Sequence, residues 1–151
     1  MATREDTRRY RATLNDLENV ADDPVIPGDV GSWCESVGEA LDRVRHAWNP
    51  VLEMHEATFR GILETSLDMG GQVERLKSGD DYASRSLAEI ATKLERACTS
   101  CHGGDTSKEP VGEMEMLRSD LLEWIAHARA HEREVDHWLV EASLRDSGAA
   151  D

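Results

Sequence analysis

Strand signals are almost absent from this sequence. Aromatic residues make up only 5% of the chain, and no stretch sustains the period-two alternation of a half-buried strand, so a sheet-built fold is not expected. Long apolar runs are missing as well. None approaches the roughly 18–20 residues of a membrane-spanning helix. Cations are scarce: 17 Lys and Arg stand against 31 Asp and Glu, for a formal charge of −14. Sequence-independent nucleic-acid binding requires a cationic face that releases counterions, and an anionic membrane surface requires the same. Neither nucleic acid nor membrane is therefore an expected partner. Cysteines number three, an odd count in a chain of 151 residues. A chain of that length is one domain and buries a core without a disulfide scaffold. The N-terminal Met1-Ala2-Thr3-Arg4-Glu5-Asp6 carries no apolar export signal, and a cytoplasmic protein is the expectation.

What the sequence does have is helical periodicity throughout. A first helix is read over 1–22, with Tyr10, Leu14 and Leu17 on its buried stripe, before Asp22, Asp23, Pro24, Pro27 and Gly28 break the chain. A long second helix is read over 29–78. Its apolar seam keeps phase across Asn49-Pro50, so a kink is expected there rather than a reversal. Ser78-Gly79-Asp80-Asp81 reads as a turn. A third helix is read over 81–102 and a fourth over 112–144, the last with a 3-4 seam from Met114 to Ala142 on which His131 replaces an apolar residue. The expected fold is all-α: an elongated three- to four-helix up-down bundle with a long kinked second helix. Counting equal distances from the turn near Gly79 places His55 level with Cys101 and His102. The region around His127 and His131 can reach the same level.

Chemistry concentrates in a few strings. Cys98-Thr99-Ser100-Cys101-His102 is a C-x-x-C-H sequence. That spacing serves covalent haem attachment with the histidine on iron, half of a tetrahedral zinc site, a redox dithiol, or simply two small packing residues. His127 and His131 lie one turn apart and can point at one metal. His55 sits on the apolar seam of its helix, where a buried imidazole needs a partner. Glu132, Glu134 and Asp136 follow His131 closely, placed either to orient an imidazole or to form a solvated face. His46 and His137 read as solvent-facing, and Cys34 as packing. No nucleophile elbow, phosphate loop or H-E-x-x-H string is present, so no catalytic constellation is indicated.

The stretch from Val51 to Leu63, opening Val51-Leu52-Glu53-Met54-His55-Glu56, and the stretch Ile125-Ala126-His127-Ala128-Arg129-Ala130-His131-Glu132-Arg133-Glu134 resemble the first and closing helices of hemerythrin-like (HHE) cation-binding domains. The resemblance covers roughly a sixth of the chain. It implies an up-down bundle holding a pair of non-haem irons for dioxygen binding or for iron or oxygen sensing, with His55 and His127 as ligands. His131 stands where that family usually has a bridging glutamate. Cys98-x-x-x-His102 occupies the place of its His-x-x-x-Glu. A second, five-residue resemblance through Cys98, Cys101 and His102 is to c-type cytochromes. It implies haem c, with a distal ligand from His55, His127 or His131.

The expected role is thus metal binding by His55, His127, His131 and His102, with Cys98 and Cys101 as further ligands. Imidazoles alone favour non-haem iron, and participation of the thiols favours zinc. The alternatives are an electron-transfer haem protein and an acidic helical module that binds a protein partner or itself through its heptad seams.

Overall fold

The computed structural model describes residues 4–100 and 111–149. Cys101 and His102, two of the expected ligands, lie outside the described residues. The fold is an all-α helical bundle of four helices, without strands among the described residues: α1 (Arg4–Asp22), α2 (Val30–Thr65), α3 (Gly70–Ser100) and α4 (Val111–Ala149).

Helix α1 opens with Glu5 and Asp6, which complement the positive end of its dipole. It buries Tyr10, Leu14, Leu17 and Ala21 at 3-4 spacing. Its last carbonyls have no intrahelical partner, and Arg118 of α4 supplies one. The Arg118 guanidinium donates to Ala21 O at 2.6 Å and to Asp22 O at 2.8 Å. Gly28 then adopts φ 92°, a conformation with little penalty only for glycine. Next to it, the Asp29 N–H closes a turn on Ile26 O at 2.9 Å. Helix α2 runs without interruption through Pro50, as the in-phase seam requires.

The break after α2 falls elsewhere than the sequence suggests. The chain leaves the helix at Ser66 (φ −140°, ψ 78°), passes through a 3-10 turn over Leu67–Met69 and re-enters a helix at Gly70. Met69 is 2% exposed and anchors that turn in the core. The stretch 29–78 is therefore not one helix, and Ser78-Gly79-Asp80-Asp81 is no turn but an interior stretch of α3. Local turn preference there is worth at most a kcal/mol or so per residue, and the inward packing of Gly79 and Asp80 overrides it.

The helices alternate in direction, with α1 packed on α2 and α4, and α3 packed on α2 and α4. Helix α1 has 19 residues against 36 in α2 and 39 in α4. It therefore covers about half of the bundle. The core divides accordingly. One apolar cluster draws on all four helices, from Tyr10, Val37, Leu87 and Leu121 to Val51, Ala83 and Ala128. A second is built from the remaining three, with Phe59, Ile62, Met69, Val73, Leu76, Val135 and Ala142.

Replacing Arg118 by Met removes two charge-assisted hydrogen bonds to the end of α1. Urea denaturation is expected to show a loss of about 1–2 kcal/mol; an unchanged midpoint contradicts the capping role.

Candidate metal centre

Between the two apolar clusters lies one polar layer. It contains His55 of α2, Asp80 of α3 and His131 of α4, which are 3%, 4% and 7% exposed. Each is on the inner stripe of its helix. His55 follows Trp48 and Val51 at 3-4 spacing, Asp80 stands between Leu76 and Ala83, and His131 between Ala128 and Val135. Helix periodicity alone turns them inward, and burial obliges them to pair.

They pair with each other. His55 Nδ1 lies 2.9 Å from Asp80 Oδ1 and 3.0 Å from Oδ2. His131 Nε2 lies 2.8 Å from the same Oδ1. A carboxylate only accepts, so the pattern assigns a proton to Nδ1 of His55 and to Nε2 of His131. The imidazoles stand nearly perpendicular, their centroids 6.5 Å apart. Trp48 meets the His55 ring edge-on at 5.9 Å and Phe59 lies against it at 5.5 Å. These neighbours exclude water from the layer on the α2 side.

Gly79 explains the approach of His131 to α3. A Cβ built on Gly79 would stand 2.2 Å from His131 Cε1 and 2.4 Å from Nδ1. The Nδ1 edge of the ring is therefore pressed against the α3 backbone, and Nε2 is the nitrogen presented to Asp80.

The electrostatics follow from this geometry. Burial by itself would push the Asp80 carboxyl up, but the hydrogen bonds from His131 and His55, with their charge, outweigh it and hold the carboxyl below its ordinary value. Burial, followed by the negative charges of Glu132 and Asp80, pushes the Tyr10 phenol up.

The remaining expected site residues fall elsewhere. His127 is on the outside of α4, edge-on to the half-exposed Tyr82 at 4.6 Å. It does not join His131, because the inner stripe of α4 steps from Trp124 through Ala128 to His131 and leaves His127 beside it, exposed. Glu132 and Asp136 are held by Arg11 at 2.5 and 3.0 Å, and Glu134 by Arg75 at 3.2 Å. None of the three reaches the imidazoles. Cys98 is on α3, eighteen residues beyond Asp80, which is about 27 Å along the axis. His55 and His131 are therefore not level with Cys98, and neither can act as distal ligand to a group attached there. Asp80 and Gly79, the residues that organise the layer, were read from the sequence as turn formers. The signal that identifies them is the unbroken inner stripe Val73, Leu76, Asp80, Ala83, Leu87, Ile90, Leu94.

Among the described residues, no group of three or more His, Cys, Asp or Glu side chains is arranged to hold a metal ion. In the arrangement seen, both inward imidazole nitrogens are engaged by the carboxylate. Comparison with family models, curated proteins and solved structures finds no match for the chain.

Gly79→Ala tests the close approach by its sign. Alanine is the better helix former by about 1 kcal/mol, yet the substitution is expected to destabilise by about 1–3 kcal/mol because the His131 ring must move. In a His131→Ala background the same change should become stabilising. Additive effects in the double mutant contradict the contact.

Asp80 also sets an acid limit. Its folded-state carboxyl titrates below the unfolded value of about 3.9, so its stabilisation is complete above that pH and is lost as pH falls through the folded value. Stability measured against pH should therefore fall less steeply below about pH 4 in Asp80→Asn than in the wild type. Equal slopes contradict the assignment.

Proposed function

We propose that this bundle takes up one transition-metal ion between His55, Asp80 and His131, with non-haem iron or zinc as the ion, and that it serves metal or oxygen sensing, carriage or storage rather than catalysis. The observation that carries this reading is the meeting of two imidazole nitrogens with one carboxylate, from three helices, in a dry layer and within 3.0 Å. Two histidines and one carboxylate form the donor set of non-haem Fe(II) centres with open positions, and three protein ligands of these types also serve zinc. The resemblance of the His55 stretch to hemerythrin-like domains supports a ligand role for His55 alone, since the ligand it implies on α4 is His127, which is exposed and outside the layer. The donors fit one ion better than the pair implied by that family, because a single carboxylate is present and Glu132 is committed to Arg11.

Uptake asks for limited change. Metal–nitrogen and metal–oxygen bonds are about 2.0–2.2 Å, so an ion must part the hydrogen-bonded atoms by a distance on the order of 1 Å. Each imidazole must also present an unprotonated nitrogen, which a shift of the ring proton to His55 Nε2 and His131 Nδ1 provides.

A second reading is favoured by one specific observation, the engagement of both imidazoles by Asp80 with no group arranged for an ion among the described residues. On that reading the layer fixes the register of a helical scaffold, as buried polar groups do in some bundles, and its acidic faces serve a protein partner or self-association.

Elemental analysis separates the two. About one iron or zinc per chain is expected in the wild type after gentle purification. His55→Ala, Asp80→Asn and His131→Ala should lose it, while His46→Ala, His127→Ala and His137→Ala retain it. Metal-free wild-type protein that stays metal-free on titration with Fe(II) and Zn(II) supports the scaffold reading instead.

A further inference from the structure

Sulfur gathers at the far end of the four-helix half, away from the histidine layer. Cys34 of α2 is 5% exposed, and its thiol donates to the Sδ of the fully buried Met114 of α4 at 3.9 Å. Cys98 of α3 is half-buried. The antiparallel pairing of α2 and α3 brings it to the same level. Trp48 Nε1 donates to Ser84 Oγ at 2.9 Å; Cys34 lies fourteen residues before Trp48, and Cys98 fourteen after Ser84. Helices rise equally per residue, so the two cysteines stand at the same height on the paired helices α2 and α3. In agreement, Cys34 and Cys98 line one surface cavity of about 410 Å³ with Gly38, Ala91 and Leu94.

We propose that Cys34, Cys98 and Met114 form a second metal site, for a soft monovalent ion, Cu(I). Two thiolates and a thioether from three helices are donors that select Cu(I) over hard ions, and methionine is not among the usual zinc ligands, which are Cys, His, Asp and Glu. Glu35, Glu39, Asp42 and Glu95 border the same cavity against one cation, Arg45, which pairs with Asp42 at 3.9 Å, so negative charge predominates at its mouth and draws a cation in. Binding releases one proton from each thiol and forms two copper–thiolate bonds and one dative bond from the neutral Met114 thioether, with no change in oxidation state. The site is independent of the His55–Asp80–His131 layer, which offers nitrogen and oxygen donors only.

The test is anaerobic titration of the full chain with Cu(I) against a colorimetric Cu(I) chelator, read by the near-ultraviolet thiolate-to-copper absorption. One ion per chain is expected in the wild type. Cys34→Ser and Cys98→Ser should each lower affinity by about tenfold or more. Met114→Leu should weaken binding by a smaller factor and keep the thiolate absorption, and His131→Ala should leave both unchanged. Far-ultraviolet circular dichroism shows whether Cys34→Ser folds; Cys98→Ser, at a half-buried position, supplies the same test if it does not. Wild-type affinity in either cysteine variant that folds overturns the proposal, as does Zn(II) displacing Cu(I) at equal concentration.

Discussion

The architecture turns on one carboxylate. Asp80 is buried, and an ionised carboxyl in that position is costly unless its oxygens are bonded. Its two partners are imidazoles from the helices on either side. Neither histidine has an apolar side chain's reason to be buried, and each is held there by the same oxygen. The three residues therefore stand or fall together, and they lock the relative height of α2, α3 and α4. A slip of one turn between any two helices would leave at least one of them unpartnered in a dry environment.

This layer also divides the molecule. On one side α1 completes a four-helix core, and on the other three helices close without it. Tyr10 and Arg11, in the first half of α1, sit at that boundary. Tyr10 packs on Trp48 with ring centroids 5.2 Å apart, and Arg11 takes up the carboxylates of Glu132 and Asp136. The carboxylates next to His131 are thereby withdrawn from the polar layer, so its chemistry is set by Asp80 alone. Gly79 serves the same end, since a side chain at that position would hold His131 away from Asp80.

Much of this was legible in the sequence and one decisive part was not. The all-α class, the continuation of α2 through Pro50, and the inward positions of His55 and His131 all follow from 3-4 periodicity. The turn did not, because two signals competed. Ser78-Gly79-Asp80-Asp81 has the composition of a turn, and the glycine pair Gly70-Gly71 directly after Ser66-Leu67-Asp68-Met69 is a second turn signal, one that the in-phase apolar seam through Met69 and Leu76 masked. Tertiary packing reversed that order: Gly79 is small for the sake of His131, and Asp80 is polar for the sake of both imidazoles. Misplacing the turn carried His55 up to the level of Cys101 instead of Asp80. Counting equal distances from the true turn at Ser66–Met69 pairs His55 with Asp80 directly. The inclusion of His127 failed for a simpler reason. A residue four positions before an inward one is not inward if the stripe at that point steps through Ala128.

The central claim is that three side chains from three helices act as one donor set. Histidine-selective nitrogen NMR during anaerobic titration with Zn(II) tests it most directly, because it reads each ring nitrogen separately. The account predicts that the His55 and His131 resonances change together and saturate at about one ion per chain, while those of His127, His46 and His137 stay in place. Resonances of His55 and His131 that remain unmoved at saturating zinc would contradict it.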